Sequence, residues 1–338
     1  MLEPPSLPVE KIISCLYSGF GILNPQIIFL PLGADLNTAV YRVNLQTGIQ
    51  LFLKLRNGPF LEPSVVLPAY LFNQGISEII PPIPTLSGNY WTSLENYSVI
   101  LYPYIEGKDG YEVDLSDDQL REFGKVLQMI HQLAVPEQIQ KKIPVEKFSS
   151  KWSTQLSKYT QIWEGKKFSD SISKKLAELL VKHKDTISFL IYRVDLLSNI
   201  LKNRPLNLVI CHSDLHAGNL LIDKMQNLYI VDWDTLLMAP KERDLMYIGG
   251  GQGLRGHTLE EEVELFYQGY GETSIDQEAL AYYRYMRIIE DMAVECAIIF
   301  SKDQPYEDRQ RELGFFESNF APEGVIEISQ KQDRAYCK

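Results

Sequence analysis

The residues best suited to chemistry lie in one segment, LVICHSDLHAGNLLIDKMQNLYIVDWD, at residues 208–234. Two short apolar runs flank the polar stretch Asp223–Asn227, a pattern that predicts a β-hairpin. Pairing the two strands about the middle of that turn places Asn219 opposite Asp232. The spacing therefore brings an amide and a carboxylate together where the hairpin opens.

Carboxylate and amide oxygens that converge at such a point make a hard-oxygen site for Mg²⁺. Asp214 lies five residues before Asn219, on the loop that leads into the hairpin. A carboxylate there can accept a proton from a substrate hydroxyl while Asn219 and Asp232 hold metal-bound phosphates. That division of labour is what phosphoryl transfer requires, since the reaction needs positioning and charge neutralisation more than a strong base.

Short runs of alternating or apolar residues in the first hundred positions predict strands at 39–43, 50–55, 90–92 and 97–101. Lys54 lies inside the second of these strands. A lysine in an apolar strand must find a charged partner or extend to water, because burying it unpaired is costly. A helix is predicted for residues 61–75, limited by Pro63 and Pro68.

The periodicity changes after a turn-rich stretch that follows Pro103. Ser116 is typical of a helix N-cap, and apolar residues then recur at helical spacing to Leu133. Helical patterns also cover most of 134–205 and 259–300. The sequence therefore predicts an α+β chain with a small β-rich part followed by a larger, mainly helical part.

The pattern HxDxxxxN followed by a (V/I)DW element resembles the signature of the protein-kinase-like small-molecule kinases, and it is matched by His212, Asp214, Asn219 and Asp232. Within that superfamily the chain resembles the aminoglycoside phosphotransferases. The stretches at 211–219, 232–251 and 269–291 are most similar to members that phosphorylate spectinomycin. The resemblance implies a protein-kinase-like bilobal fold. Its β-rich N-lobe would span 1–103 with a hinge at about 102–107, and its helical C-lobe would span 108–338.

The resemblance also implies roles for residues that match the family. Asp214 is expected to be the catalytic base, and Asn219 and Asp232 are expected to bind Mg²⁺. Lys54 is the strand lysine expected to contact the α- and β-phosphates of ATP. Glu62, just before the first predicted helix, is the acid best placed along the chain to pair with Lys54.

The nucleotide site has two further parts in this family. Backbone groups of a hinge are expected to contact the adenine, at Pro103, Tyr104 and Ile105. The phosphate loop falls at residues 33–38, GADLNT, which holds one glycine rather than a repeated glycine pattern. Phosphate contacts in this loop are expected from Gly33, Asn37 and Thr38.

The charge distribution bears on the second substrate. The chain has a net charge of −11, and residues 210–338 hold 24 acidic against 12 basic residues. An acidic surface disfavours nucleic acid and attracts cations, although solubility alone also explains a negative charge. With the kinase motif present, we expect a small cationic acceptor. The candidate acceptor-binding residues are Asp234, His216, Tyr283, Arg287 and Asp291.

Purely structural roles are also possible for some of these candidate acceptor-binding residues. Asp234 also suits a turn, His216 also suits a cap of its own loop, and an ion-paired helix face explains the charges near Arg287. Four scattered cysteines and the absence of an apolar leader or membrane-length run predict a cytoplasmic protein that does not bind membranes. We expect a monomer or weak dimer.

The sequence predicts an ATP-dependent phosphotransferase acting on a hydroxyl of an aminocyclitol antibiotic, with spectinomycin favoured. The motif residues are expected to contact ATP and metal and do not specify the acceptor. A kinase of choline, homoserine or methylthioribose is therefore an alternative. A hypothesis of another class is a metal-dependent hydrolase. Its transition metal would be held by alternating His and Asp residues, namely His212, Asp214, His216, Asp232 and Asp234.

Overall fold

The computed structural model describes residues 3–33, 37–161, 168, 170–251 and 256–336. The chain divides into two compact units. The first comprises Met1–Pro144 with His212–Leu237, and the second comprises Val145–Cys211 with Met238–Lys338. The segment with the chemical motif thus belongs to the same unit as the β-rich residues, although it lies more than a hundred residues beyond the boundary predicted at 103.

The first unit contains a five-stranded antiparallel sheet in the order β1-β2-β3-β5-β4. Its strands are β1 (Gln26–Leu30), β2 (Thr38–Asn44), β3 (Gln50–Asn57), β4 (Thr92–Leu94) and β5 (Tyr97–Pro103). The unit's helices are α1 (Val9–Phe20), α2 (Pro63–Asn73), α3 (Asp117–Gln132) and α4 (Glu137–Gln140). The predicted strand pairs and the predicted helix after residue 61 are confirmed.

Strand β3 sends alternate side chains to opposite faces of the sheet, as the strand period requires. Its leucines lie in the hydrophobic core beside α1, at Leu51, Leu53 and Leu55. The intervening positions carry Phe52, Lys54 and Arg56. The apolar positions therefore anchor the strand, and two cations are presented together on the opposite face.

Helix α3 begins where its sequence predicted. Ser116 accepts a hydrogen bond from the Gln119 backbone N–H at 3.3 Å, and the Gln119 side chain accepts one from the Ser116 N–H at 2.9 Å. This reciprocal capping box satisfies two backbone donors that a helix start leaves open. The Gln119 amide also donates to the Gln226 carbonyl at 2.9 Å, which ties α3 to the hairpin turn.

A second sheet of the first unit has the order β6-β8-β9, formed by β6 (Gly107–Asp109), β8 (Leu220–Asp223) and β9 (Leu228–Ile230). The predicted hairpin is confirmed, but its register differs by one residue. Leu220 pairs with Ile230, and the Val231 N–H donates to the Asn219 carbonyl at 3.0 Å, so Asn219 lies opposite Val231 rather than Asp232. The turn has an odd number of residues because left-handed Gln226 (φ 68°) adds one residue to the loop.

Hydrogen bonds explain why this hairpin groups with the β-rich residues. β6 pairs with β8, and the Ile230 N–H donates to the Glu78 carbonyl at 2.9 Å, just beyond α2. These contacts hold the segment with the chemical motif against elements from residues 1–144. The chemical groups of the motif are thereby positioned by one compact unit.

The second unit is mainly helical, with one short strand pair. The elements are α5 (Lys151–Gln161), α6 (Ser171–Lys182), α7 (Lys184–Lys202), β7 (Val209–Cys211), β10 (Leu237–Ala239), α8 (Glu242–Leu245), α9 (Leu259–Tyr270), α10 (Gln277–Phe300), α11 (Tyr306–Ser318) and α12 (Val325–Tyr336). The long helix α10 buries an arginine, Arg284, whose guanidinium donates to the carbonyls of Met246 (3.0 Å) and Ile248 (2.7 Å). Paired in this way, the cation avoids the penalty of unpaired burial.

Across the described ranges, no helix has both the length and the apolar character that crossing a membrane demands. Three cysteines are buried as free thiols, at Cys15, Cys211 and Cys296. Cys337 lies outside the described residues.

A buried acid on α10 makes the stability of the protein depend on pH. Glu295 is 6% exposed, and burial, reinforced by Asp291 and Glu312, raises its pKa to about 8. The folded chain therefore binds a proton that the unfolded chain releases above about pH 4.3. The contribution of Glu295 to stability therefore falls as the pH rises from about 4 to 8, because over that window the folded state holds a proton at this group that the unfolded state releases.

We expect Glu295→Gln to exceed the parent protein in stability by only about 1 kcal/mol at pH 5 and by about 2–4 kcal/mol at pH 9. The glutamine keeps an acceptor for the Asn319 amide, which lies 3.4 Å from the Glu295 carboxylate. Urea unfolding at both pH values measures the difference. Glu307→Gln, at an exposed position of α11, should show no such pH-dependent gain. An equal gain at pH 5 would contradict the assignment to ionisation.

Candidate active site

Lys54 is the centre of an ion-pair cluster in the first unit. Its Nζ lies 2.9 Å from Asp232 Oδ1 and 2.8 Å from Asp234 Oδ2. The Lys54 side chain is 10% exposed, whereas that of Asp232 is 52% exposed. The strand lysine is thus a largely buried cation that holds two carboxylates of the motif segment.

The predicted partner of Lys54 was Glu62, and this pairing is not the one that the structure has. Glu62 forms a salt bridge with Lys142 instead, at 2.6 Å between Nζ and Oε2. Both of these side chains are about half exposed. Glu62 lies at the start of α2 (Pro63–Asn73), where the chain directs it to the surface rather than to β3 (Gln50–Asn57).

The pairing shifts the protonation of both partners toward the charged form. Burial alone would lower the pKa of Lys54, but Asp232 and Asp234 outweigh it and raise that pKa above its ordinary value. Desolvation by the surrounding protein would raise the pKa of Asp232, but the Lys54 ammonium outweighs that effect and lowers the pKa. Lys54 is therefore a cation and Asp232 an anion at neutral pH.

The sequence analysis did not identify two residues of this cluster, Arg56 and Tyr102. Arg56 donates to Asp234 Oδ2, the same oxygen that contacts Lys54. Tyr102 of β5 (Tyr97–Pro103) lies beside Lys54. Burial raises the pKa of Tyr102 above its ordinary range; Lys54 opposes this effect, and Asp234 and Asp232 add to it. The strand period was the available signal for Arg56, because residues two apart on a strand share a face.

The loop that carries Asp214 is held by His212. The Nδ1 of His212 accepts from the Asp214 N–H at 3.3 Å, so Nε2 carries the proton and donates to the Val231 carbonyl at 2.8 Å. The ring is fully buried and packs edge-on against Trp233 with centroids 4.7 Å apart. Both ring nitrogens are thus used to join the loop of Asp214 to the strand that leads to Asp232.

Two residues beside these groups have left-handed backbone, Ser213 (φ 67°) and Asp232 (φ 65°). This conformation is uncommon outside glycine and is retained when surrounding contacts enforce it. Ser213 Oγ donates to the Thr235 carbonyl, and Thr235 Oγ1 donates to the His212 carbonyl at 3.2 Å. The loop and the Asp232 segment are thereby locked to each other, which fixes where both carboxylates project.

Asn219 is positioned by the same loop. Its Nδ2 donates to the Asp214 carbonyl at 2.6 Å, and its own carbonyl accepts from the Val231 N–H. The amide nitrogen is used in the protein, so the amide oxygen is the atom suited to serve as a metal ligand. Together with the half-exposed, anionic Asp232 at the next position of the neighbouring strand, it forms the hard-oxygen donor set that Mg²⁺ prefers.

His216 lies between Asp214 and Tyr111. Its Nε2 is 3.6 Å from Asp214 Oδ2 and 3.4 Å from Asn219 Nδ2. Its Nδ1 accepts from the Gly218 N–H at 3.0 Å and is 3.2 Å from the Tyr111 hydroxyl. The structure thus includes the cap that the sequence suggested for His216, and it also brings the ring close to the candidate base.

The predicted phosphate loop lies partly outside the described residues, because residues 34–36 are not among them. Gly33 has a left-handed φ of 85°. Asn37 accepts from the Asn57 N–H at 2.8 Å, and Thr38 pairs with Arg56 in the sheet. The end of this loop is therefore at the same end of the sheet as Lys54 and Arg56.

The predicted hinge follows β5 directly. Pro103, at the end of the strand, pairs with Leu51, and the Tyr104 N–H donates to the Gln50 carbonyl at 3.3 Å. Pro103, Tyr104 and Ile105 are all partly buried. The Tyr104 N–H, one of the backbone groups expected to contact adenine, is thus engaged within the protein.

Three candidate acceptor residues lie on α10 (Gln277–Phe300) of the second unit. Tyr283 is fully buried, and its ring lies 5.1 Å from Tyr282 with Arg243 5.5 Å above it. Arg287 pairs with Asp291 at 2.9 Å along one helix face. Tyr283 thus has a packing role in this structure, and the predicted charges of Arg287 and Asp291 partly neutralise each other.

The sequence profile of the phosphotransferase enzyme family, APH, matches residues 29–284. A crystal structure of spectinomycin phosphotransferase APH(9)-Ia in complex with ADP and spectinomycin is 33% identical, with a TM-score of 0.88 over 98% of this chain and 100% of that one. Its AMP-bound complex is 32% identical, with a TM-score of 0.82 over 95% and 97%. The amicoumacin kinase hAmiN, bound to AMP-PNP, Ca²⁺ and Ami, has a TM-score of 0.63 at 16% identity over 96% and 94%, a likeness of fold alone. No curated protein sequence matches the chain.

These findings decide between the classes of activity. The metal-dependent hydrolase hypothesis is wrong, because the family is one of phosphotransferases and because both ring nitrogens of His212 are already bound within the protein. The profile covers well over half of the chain, and the likeness to a solved relative extends over nearly all of it. The chain belongs to the APH phosphotransferase enzyme family, has its protein-kinase-like fold and is a small-molecule kinase that acts on hydroxyl groups.

Proposed function

We propose that this kinase transfers the γ-phosphoryl group of ATP to a hydroxyl of spectinomycin or a closely related aminocyclitol, and so protects against the antibiotic. The observation that carries the proposal is the match to spectinomycin phosphotransferase, which extends over all of that chain at 33% identity. Solved relatives bind ADP, AMP or AMP-PNP, which supports a nucleotide as the phosphoryl donor.

Asp214 is the proposed base. Its carboxylate accepts the proton of the acceptor hydroxyl as the hydroxyl oxygen bonds to the γ-phosphorus. The bond from that phosphorus to the bridging oxygen of ADP breaks, and ADP leaves with the electron pair. A carboxylate suffices for this step, because the transition state is loose and the hydroxyl becomes acidic only late. The His212 contacts keep the Asp214 backbone in place.

The donor set fits a divalent metal, since Asp232 is anionic and Asn219 offers an amide oxygen at the adjacent position. Asn219 and Asp232 are the residues that would hold Mg²⁺, which would neutralise charge on the phosphate oxygens when bound. Asp232 contacts Lys54 at 2.9 Å, so one acid is shared between the two cationic sites. Oxygen ligands of this kind favour Mg²⁺ over zinc or iron.

Lys54 is the proposed contact for the α- and β-phosphates. Asp234 also holds it, at 2.8 Å, and Arg56 offsets the charge of Asp234. The backbone at Pro103 and Ile105, together with the carbonyl of Tyr104, is the proposed adenine contact, since the Tyr104 N–H is bound to Gln50. Residues 33, 37 and 38 of the phosphate loop complete the nucleotide site in this proposal.

The proposed acceptor is cationic, and its recognition is assigned to the acid-rich last part of the chain. Residues 210–338 hold twice as many acidic as basic side chains. Arg287 and Asp291 remain candidates for that role on α10 (Gln277–Phe300). Opposite charge raises the local concentration of such a ligand and accelerates its association.

The test is a steady-state assay of the purified protein with ATP, Mg²⁺ and spectinomycin, following ADP release and the phosphorylated product. We expect acceptor-dependent ADP formation and preferred turnover of spectinomycin in a panel that includes choline, homoserine, methylthioribose and an aminoglycoside. ADP formation no faster than in the acceptor-free control would refute spectinomycin as the substrate. Preferred turnover of choline, homoserine or methylthioribose would instead identify a kinase of that metabolite.

A further inference from the structure

A line of contacts leads from the surface of the first unit to Asp214. The Tyr111 hydroxyl is 3.2 Å from His216 Nδ1, and the two rings stack with centroids 5.7 Å apart. His216 Nε2 lies 3.6 Å from Asp214 Oδ2. The three side chains are thus in series, with the candidate base at the inner end.

The hydrogen bonds settle which nitrogen of His216 is protonated. The Gly218 N–H donates to Nδ1 at 3.0 Å, and the Tyr111 hydroxyl is placed to donate to the same atom. Because Nδ1 accepts these bonds, the neutral ring carries its hydrogen on Nε2. The Asn219 Nδ2 that lies 3.4 Å from Nε2 directs its own hydrogen to the Asp214 carbonyl at 2.6 Å. The imidazole therefore presents an N–H donor to the Asp214 carboxylate.

The packing around this line requires glycine at two positions. A Cβ on Gly218 would lie 2.8 Å from the Tyr111 ring and 2.9 Å from the His216 ring. A Cβ on Gly110 would lie 2.9 Å from the Ala217 carbonyl, to which the Gly110 N–H donates at 3.0 Å. The Tyr111 segment is thereby seated directly on the catalytic loop, which holds the His216 ring between Tyr111 and Asp214.

We propose that Tyr111 and His216 are a positioning pair that orients the Asp214 carboxylate toward the acceptor hydroxyl. His216 holds Oδ2 through its Nε2–H, and Oδ1 is then turned to receive the proton. The 3.6 Å separation closes to a hydrogen bond in the reactive complex, as contacts of catalytic groups commonly do when substrate binds. This inference rests on the proposed function, because it takes Asp214 as the base.

The competing role is a simple cap, in which His216 serves only the Gly218 N–H. Two substitutions separate the roles, since the asparagine amide occupies the place of Nδ1 and the glutamine amide reaches that of Nε2. His216→Asn keeps an acceptor for Gly218 and loses the donor to Asp214. His216→Gln keeps a donor for Asp214 and loses the cap.

We expect His216→Asn to lower kcat about 10–100-fold, with the KM values for ATP and acceptor changed less than about threefold, because misdirection of a reacting group costs rate rather than binding. His216→Gln should recover most of that kcat and have the lower melting temperature of the two variants. Tyr111→Phe should lower kcat in the same manner. Its effect should be small in a His216→Asn background, because residues that act through one path are not additive.

The opposite order, with His216→Asn fully active and His216→Gln impaired, would overturn the proposal in favour of a cap. If His216→Asn does not fold, an unchanged kcat in Tyr111→Phe would overturn it as well. Asp214→Asn is measured in parallel. Retained activity there would refute the base assignment itself, whereas lost activity there with a normal His216→Asn would refute only the positioning role.

Discussion

Asp214→Asn is expected to lower kcat by about 10²–10⁴-fold, the contribution typical of a positioned general base. The amide is isosteric with the carboxylate but cannot take up the hydroxyl proton. The substitution leaves the backbone of residue 214 in place, where its carbonyl accepts from Asn219 and its N–H donates to His212. Steady-state kinetics with the acceptor, together with calorimetric nucleotide binding, measure both consequences.

Nucleotide affinity should change little in this variant, because the nucleotide contacts are assigned to other residues. Asp223→Asn is the matched control, since it makes the same chemical change at the far end of the same hairpin. Asp223 accepts bonds from Met225 and Asn227 in the turn, so its loss should affect stability rather than kcat. A kcat within about threefold of the parent in Asp214→Asn would show that the proton goes elsewhere.

The local structure of the motif segment was largely predictable, because the residues that determine it are close together in the sequence. The motif places His212, Asp214 and Asn219 within eight residues, and the apolar runs around Asp223–Asn227 specify the hairpin. The capping box at Ser116 is similarly local and is confirmed. Patterns of this kind depend on backbone period and turn chemistry, which nearby residues determine.

The register and the ion pairs were not predictable in the same way. A single left-handed residue, Gln226, shifts the hairpin by one position, and a polar turn sequence does not specify its own length. Lys54 and its partners Asp232 and Asp234 lie about 180 residues apart in the chain, so proximity along the sequence wrongly favoured Glu62. The contact arises only once the hairpin docks beside β3 (Gln50–Asn57).

The geometry of the cluster suggests how binding of the nucleotide reorganises it. Lys54 now neutralises Asp232, the proposed metal ligand, at 2.9 Å. Bound phosphates would compete for the lysine and a bound divalent cation would compete for Asp232, so each partner of this ion pair would gain another group of opposite charge. Asp234 also pairs with Arg56, so it would still be in place to hold Lys54 during such an exchange. Asp234 is in this view a positioning residue for the lysine rather than a contact for the acceptor.

Lys54→Met is expected to reduce kcat/KM for ATP by about 10²–10³-fold, because it removes a preorganised cation from the phosphates. Asp234→Asn should reduce it by about tenfold and lower stability by about 3 kcal/mol, since it leaves largely buried cations without their shared partner. Glu62→Gln should change kcat/KM by less than about threefold and stability by less than about 1 kcal/mol, because its pair with Lys142 is solvent-exposed. Kinetics over a range of ATP concentrations and urea unfolding give both quantities.

The comparison of Asp234→Asn with Glu62→Gln identifies which acid supports Lys54 during turnover. A loss in Glu62→Gln as large as that in Asp234→Asn would mean that Glu62 leaves Lys142 and replaces Asp234 in the nucleotide complex. Lys142→Met, which removes only the surface partner, resolves that case. It would raise activity if Lys142 competes for Glu62, and it should have no effect if Asp234 is the working partner, as the 2.8 Å contact to Lys54 indicates.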